Sequence, residues 1–264
     1  MNDTFQSLAV GVVVSTYNRP DALRLVLQSI VDQSLKPRCV VVSDDGSGSE
    51  TWSAIESFKS TLPLVHVWQP DNLFRLSRAR NLGVLAADVD YLIFIDGDCV
   101  LPPDFVSSHV RLARKNALVF GSRKLLSKTD TESVLKDGHQ LKQVYSWFSG
   151  RKFVKIGLGL LRTIPRRHWS RAKGFTLAIF KENLLQIGGF DESYRHWGLE
   201  DSDFAVRCLR SGLILKDGRY ATSCLHLWHQ EKGGADKSPN QHKFQLLIDK
   251  TSTCLPSNSC LRQS

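Results

Sequence analysis

The chain has 264 residues, of which 42% are hydrophobic, 9% aromatic and 23% charged, with a formal net charge of +9; this excludes a disordered or fibrous polypeptide and provides for one compact unit or two closely fused lobes. No apolar run approaches the roughly 20 residues needed to span a bilayer, and Met1 to Gln6 lacks the basic n-region of a signal peptide. The six cysteines form no CxxC pair, which argues against a structural zinc and reads as reduced thiols in a cytoplasmic protein.

In chain order, Val10 to Val14 is a β-rich run that ends at polar Ser15-Thr16-Tyr17-Asn18. Asp21 to Ser34 carries Leu23, Val26, Leu27, Ile30 and Val31 at helical spacing, and Pro20 suits the first turn. Cys39 to Val42 reads as a second buried strand that stops at Ser43-Asp44-Asp45-Gly46-Ser47, with a helix from Ser49 to Phe58. Leu64 to Trp68 is a third strand, Ser77 to Ala87 a helix, and Tyr91 to Ile95 a fourth strand ending at Asp96-Gly97-Asp98. This alternation predicts an α/β fold with a mostly parallel sheet and helices on both faces, in which ligands bind where strands end. The three polar clusters should therefore converge on one edge. The second half is less regular: a strand over Gly174 to Phe180, helices over Lys181 to Ile187 and Glu200 to Ser211, a strand over Ala221 to Trp228, and a polar tail from Thr251 expected to be loosely ordered.

Charge is unevenly placed. Between Gly138 and Lys181 there are ten Lys and Arg and no Asp or Glu, interleaved with Tyr145, Trp147, Phe148, Phe153 and Trp169. Such a stretch suits an anionic neighbour: nucleic acid, an acidic membrane face or an anionic glycolipid. It also fits a solvated basic face.

Three constellations carry chemistry. Asp96-Gly97-Asp98 at a strand end offers two carboxylates to a hard divalent ion that completes its shell with phosphate oxygens, and Gly97 lets a ligand approach the backbone; an ordinary turn also fits. His226 and His229 are imidazoles of the kind that complete a transition-metal site and favour Mn²⁺ over Mg²⁺. Trp197-Gly198-Leu199-Glu200-Asp201-Ser202-Asp203 sets an aromatic face before carboxylates at a helix start, where one acid can accept a hydroxyl proton while the ring stacks on a sugar; helix capping by Asp201 or Ser202 accounts for one of these acids.

With these residues the chain resembles a GT-A-fold glycosyltransferase of family 2, and its second half resembles the C-terminal module of the β-1,4-galactosyltransferases, over roughly Leu8 to Leu247. The first-half motifs are Val14 to Arg19, Ser43 to Ser47, Arg78-Ala79-Arg80-Asn81 and Ile95 to Asp98; the second-half ones are Gly189-Phe190-Asp191, Trp197 to Asp203, Cys224 to His229 and Ser238-Pro239-Asn240. The resemblance implies that Ser15, Tyr17 and Asp45 hold the uracil of a UDP-sugar, that Arg78 lies along the nucleotide, and that Asp96 and Asp98 face the ribose and a metal, Mn²⁺ or Mg²⁺, with Asp98 as direct ligand. It implies Asp201 as catalytic base, Glu200 as a ligand of the acceptor hydroxyl, Trp197 and Gly198 as acceptor-binding, and His229 and His226 as metal ligands. His226 stands where the galactosyltransferases carry methionine, Leu199 where they carry glycine, and Ser202 where they carry a third consecutive acid.

On this reading residues 1–105 form the nucleotide-sugar half, 106–247 the acceptor-binding and catalytic half with the basic segment 138–181, and 248–264 the tail. The expected activity is inverting transfer of a hexose or N-acetylhexosamine from a UDP-sugar to a saccharide or lipid-linked saccharide, in surface polysaccharide or lipopolysaccharide synthesis. The basic segment would dock the enzyme on the inner membrane face, with no nucleic acid as partner, and Gln230 to Asn240, with Gly233-Gly234 as hinge, would form a lid over the donor. A glycoside hydrolase also uses paired carboxylates but needs neither metal nor nucleotide; a catalytically silent sugar- or nucleic-acid-binding module on the same fold is the other alternative.

Overall fold

The computed structural model describes residues 8–136, 168–219, 221–230, 239–250 and 254–262. Most of the basic segment and most of the expected lid, residues 138–167 and 231–238, lie outside the described residues.

The first half alternates as its sequence pattern predicts: β1 (Val10–Thr16), α1 (Pro20–Val31), β2 (Cys39–Asp44), α2 (Ser49–Glu56), β3 (Leu64–Trp68), α3 (Leu76–Ala86) and β4 (Tyr91–Asp96). There follow β5 (Cys99–Val100), α4 (Phe105–Leu112), β6 (Ala117–Phe120), β7 (Ser122–Leu125), α5 (Lys128–Lys136), β8 (Thr176–Phe180), α6 (Lys181–Gln186), α7 (Glu200–Arg210), β9 (Ile214–Asp217), β10 (Ser223–His226) and α8 (Pro239–Asp249). A seven-stranded sheet has the order β3-β2-β1-β4-β8-β6-β9, and only β8 runs antiparallel to its neighbours. A second sheet, β5-β10-β7, brings the segment after Asp98 against the strand that ends at His226.

The central strands are buried on both faces, as valine-rich parallel strands require. Val12, Val14, Val40, Val42, Ile93 and Ile95 pack with Leu23, Val26, Leu27 and Ile30 of α1, whereas Val13, Val41, Leu92 and Phe94 face the opposite layer with Val84 of α3 and Phe204 of α7. Side chains alternate across a strand, so consecutive valines feed two separate cores.

Helix α3 joins the two halves. Its buried stripe is Ser77, Arg80, Asn81 and Val84, the i, i+3, i+4, i+7 spacing of one helical face. The Asn81 amide donates to the Phe190 carbonyl and accepts from the Phe190 amide, both at 2.9 Å, and donates to Glu192 at 2.9 Å. One side chain thus satisfies both backbone groups of a buried loop residue.

The structure corrects the sequence expectation in two places. Strands β5, β6, β7 and β9 were not legible because they are two to four residues long, and β7, Ser-Arg-Lys-Leu, carries no apolar alternation; backbone pairing to β10 alone makes it a strand. The tail is also not loose over residues 254–262. Leu261 is buried in the core cluster that contains Phe190, and the amides of Ser257 and Cys260 donate to Asp191 and Glu192 at 2.7 and 2.8 Å. Its anchors are acids far back in the chain, which local composition does not reveal. Among the described residues no helix is long and apolar enough to cross a membrane.

Replacing Asn81 with alanine leaves the Phe190 amide and carbonyl buried and unpaired, an expected loss of about 2–4 kcal/mol, measured as a lower urea midpoint with an unchanged m-value.

Candidate active site

Strand register places the three polar clusters side by side. Ser15 lies opposite both Ser43 of β2 and Asp96 of β4, and Thr16 lies opposite Asp44. The predicted convergence at the C-terminal edge of the parallel strands is what the structure has. The hydroxyls of Ser15, Thr16 and Ser43 are buried there with no protein partner. Asp45 accepts from Gln69 at 2.5 Å and from the Arg75 amide at 2.7 Å; burial nevertheless raises its pKa above the ordinary value. Tyr17 is half-exposed and donates to Asp71 at 2.8 Å.

Gly97 answers a constraint within the protein. A Cβ there would stand 2.8 Å from the Ser15 carbonyl and 3.1 Å from Thr16 Oγ1, so the glycine lets the turn lie against the end of β1, which its own amide binds at 2.7 Å. Beyond the turn, Asp98 is surrounded by nitrogen. Its Oδ2 accepts from Arg19 at 2.9 Å and lies 3.7 Å from His229 Nε2, and its Oδ1 lies 3.4 Å from His226 Nε2. Burial lowers the His226 pKa to about 4, more than the Asp98 charge raises it, so the ring is neutral at physiological pH and keeps a lone pair for a cation. A carboxylate with two imidazoles is a donor set that fits a divalent transition metal. The backbone fixes it, because His226 pairs with Cys99 in the β10-β5 ladder and the Leu227 amide donates to the Asp98 carbonyl at 2.9 Å.

The second group of acids opens α7. Its first turn holds Glu200, Asp201 and Asp203, and its last turn Arg207 and Arg210, which matches the helix dipole at both ends. Leu199 at the N-cap has φ 75°, a left-handed conformation that costs a branched residue about 1–2 kcal/mol. That geometry accounts for a glycine at the equivalent place in the galactosyltransferase-like pattern, and here Leu199 packs beside Val206, Phe244 and Leu247. Asp203 is structural: it binds Arg207 at 2.6 Å and Tyr194 at 3.2 Å. Asp201 accepts the Gly174 amide at 2.8 Å and the Ser202 amide at 2.6 Å. Trp197 is 60% exposed, in a loop that Asn240 holds by donating to the carbonyls of His196 and Gly198 at 2.7 and 2.8 Å.

Arg80 connects the two groups. Its guanidinium is 1% exposed, lies 3.2 Å from Asp96 and 3.4 Å from Glu200, and donates to the Gly174 carbonyl at 3.2 Å. A Cβ on Gly174 would approach Arg80 Nη2 to 2.9 Å and Asp201 Cβ to 3.3 Å, so a side chain here would have to displace the guanidinium. Burial, reinforced by the Asp201 charge and opposed by Arg80, raises the Glu200 pKa to about 7. Sequence reasoning selected Arg78 from this motif and passed over Arg80 and Gly174. Arg78 pairs with Glu192 at 3.1 Å, while Arg80 turns to Asp96 at the end of β4 and Glu200 at the start of α7. The α3 stripe held the signal, since Arg80 falls on its buried face.

A family model described as glycosyl transferase family 2 matches residues 11–176, and one described as the N-terminal domain of galactosyltransferase matches residues 159–230. The chain belongs to glycosyl transferase family 2. It is 28% identical to a hyaluronan synthase of Pasteurella multocida, covering 89% of this chain and 26% of that protein, and 28% identical to a chondroitin synthase of Escherichia coli, covering 88% and 36%. It therefore spans about a quarter to a third of the curated relatives it matches. Among solved structures, GalNAc-T7 with UDP, GalNAc and Mn²⁺ shares the fold at a TM-score of 0.64 and 15% identity, covering 92% of this chain and 48% of that one.

Two outcomes follow. Truncating Arg80 to methionine strips the countercharge from Asp96 and Glu200 and is expected to cost about 3–5 kcal/mol in chemical unfolding. Because the Glu200 pKa is raised in the folded state, its stabilising protonation is fully present below pH 4.5, its ordinary value, and is lost as pH rises through about 7. Glu200→Gln should flatten that fall, so thermal unfolding should place the variant above wild type at pH 8 and close to it at pH 4.

Proposed function

Proceeding from membership of glycosyl transferase family 2, we propose that this chain is the catalytic module of a metal-dependent inverting glycosyltransferase that moves a hexose or N-acetylhexosamine from a UDP-sugar to a saccharide acceptor. The observation that carries this reading is the Arg80 bridge. One buried guanidinium holds Asp96, two residues from the Asp98–histidine cluster, and Glu200, the residue before Asp201, which supports reading the donor-side and acceptor-side acids as parts of one site.

Ser15, Tyr17, Asp45 and Asp96, with the partly exposed Arg78, form the nucleotide side; the unpartnered hydroxyls of Ser15 and Thr16 supply further polar groups at the strand ends. Asp98, His226 and His229 would hold Mn²⁺ or Mg²⁺, which when bound offsets charge on the departing diphosphate. Asp201 is the base. Two backbone amides fix the orientation of its carboxylate, which takes the proton of the acceptor hydroxyl as that oxygen bonds to the anomeric carbon and the bond to the diphosphate oxygen breaks on the opposite face. Glu200 accepts a hydrogen bond from the acceptor, and the exposed Trp197 ring with Gly198 receives its apolar face. The similarity to polysaccharide synthases supports an acceptor that is a growing glycan, free or lipid-linked. The charge of segment 138–181 supports peripheral contact with an anionic membrane face.

The test is UDP release from a panel of UDP-sugars with Mn²⁺ or with EDTA. Release that requires metal, is abolished in Asp98→Ala, and falls roughly 10²–10⁴-fold in Asp201→Asn with UDP affinity unchanged is the expected result. No release, together with no binding of UDP in the presence of Mn²⁺, would sink the assignment.

A further inference from the structure

We propose that Cys99 joins Asp98 and His226 as a protein ligand on the Oδ1 side of the centre, opposite His229, and gives it a preference for thiophilic divalent cations, zinc and cadmium, over manganese and magnesium. The inference deepens the metal-dependent reading above and rests on it.

The Asp98 carboxylate has two differently furnished sides. Oδ2 is engaged by Arg19 at 2.9 Å and faces His229, whereas Oδ1 faces His226 Nε2 at 3.4 Å and Cys99 Sγ at 3.9 Å. One donor atom from each of Asp98, Cys99 and His226 lies within 4.8 Å of the other two. Zinc binds thiolate sulfur at about 2.3 Å, imidazole nitrogen at about 2.0–2.1 Å and carboxylate oxygen at about 2.0–2.2 Å in a tetrahedron. Those bond lengths give edges of about 3.4 Å between oxygen and nitrogen and about 3.6 Å between oxygen and sulfur. The observed separations match the first and exceed the second by a few tenths of an ångström, less than a rotamer adjustment supplies.

The arrangement belongs to the backbone. Cys99 follows Asp98 directly and lies opposite His226 in the antiparallel β5-β10 pair, so strand register fixes all three Cα positions. His226 is over nine-tenths buried and its Nδ1 has no protein partner, so the ring is held by packing with Nε2 toward Asp98. Sulfur decides the cation: a thiolate selects zinc and its heavier relatives, whereas magnesium and manganese favour oxygen. Binding releases the thiol proton to solvent as the metal–sulfur bond forms. A lone cysteine within a strand carries no CxxC signature, and its partner imidazole comes from the far half of the chain, which hides the set from a sequence reading.

The experiment titrates the full chain with Cd²⁺ alone and with Mn²⁺ alone. Cd²⁺ should raise a thiolate-to-metal charge-transfer band in the ultraviolet. In Cys99→Ser, or Cys99→Ala if serine impairs folding, that band should be lost and Cd²⁺ affinity should fall roughly tenfold or more, while Mn²⁺ affinity read by electron paramagnetic resonance changes little. Cys224→Ser, which alters the thiol hydrogen-bonded to Cys99, should keep both responses. A band that survives loss of Cys99, or an unchanged preference for Cd²⁺ over Mn²⁺ in the variant, overturns the proposal and leaves the metal reading standing. Failure of wild type to bind either ion, with or without UDP, overturns both.

Discussion

A single buried cation organises this structure. Arg80 lies under the strand ends with its guanidinium shared among Asp96, Glu200 and the Gly174 carbonyl, and with its flank 5.2 Å from the Phe190 ring. A buried charge is tolerated only when its partners are close and hydrogen-bonded, so the end of β4, the approach to β8 and the start of α7 are obliged to meet at one point. They belong to distant parts of the chain, and the arginine is what they have in common. Burial and the Asp201 charge still disfavour the charged form of Glu200, against the pull of Arg80, and a side chain at position 174 would have to displace the guanidinium.

Around that anchor the acids divide by what holds them. Asp203 is consumed by Arg207 and Tyr194 and supports α7. Asp201 faces two backbone amides, which orient it without spending a countercharge. Asp98 is surrounded by Arg19 and two imidazoles, the environment most suited to exchanging one positive partner for another. Three similar carboxylates thus stand in three different environments. The loop carrying Trp197 is held by Asn240 of α8, which binds the carbonyls on both sides of that residue, and Arg210 of α7 in turn binds the Leu247 carbonyl at 2.9 Å and closes the far end of α8.

Much of this was legible in the sequence. The valine runs, the helical period of α1 and the polar residues after each strand determined a parallel sheet whose ligand-binding edge could be named, because side-chain periodicity and strand-end chemistry are local properties. The identities of Asp98, His226, His229, Glu200 and Asp201 as one candidate set also came from sequence pattern and family resemblance, and the structure gathers the first three around one carboxylate. Only the tertiary structure decided which arginine of Arg78-Ala79-Arg80 turns inward, that Asp203 is a structural acid, that Cys99 stands beside His226, and that the tail from residue 254 is docked by Asp191 and Glu192. Each of these depends on a partner 4 to 127 residues away, and spacing along the chain cannot specify which of two exposed-looking charges will be buried. That choice is made when strand register and helix phase fix the remaining neighbours, since the cost of an unpaired buried charge then selects the one arrangement in which every charge is matched.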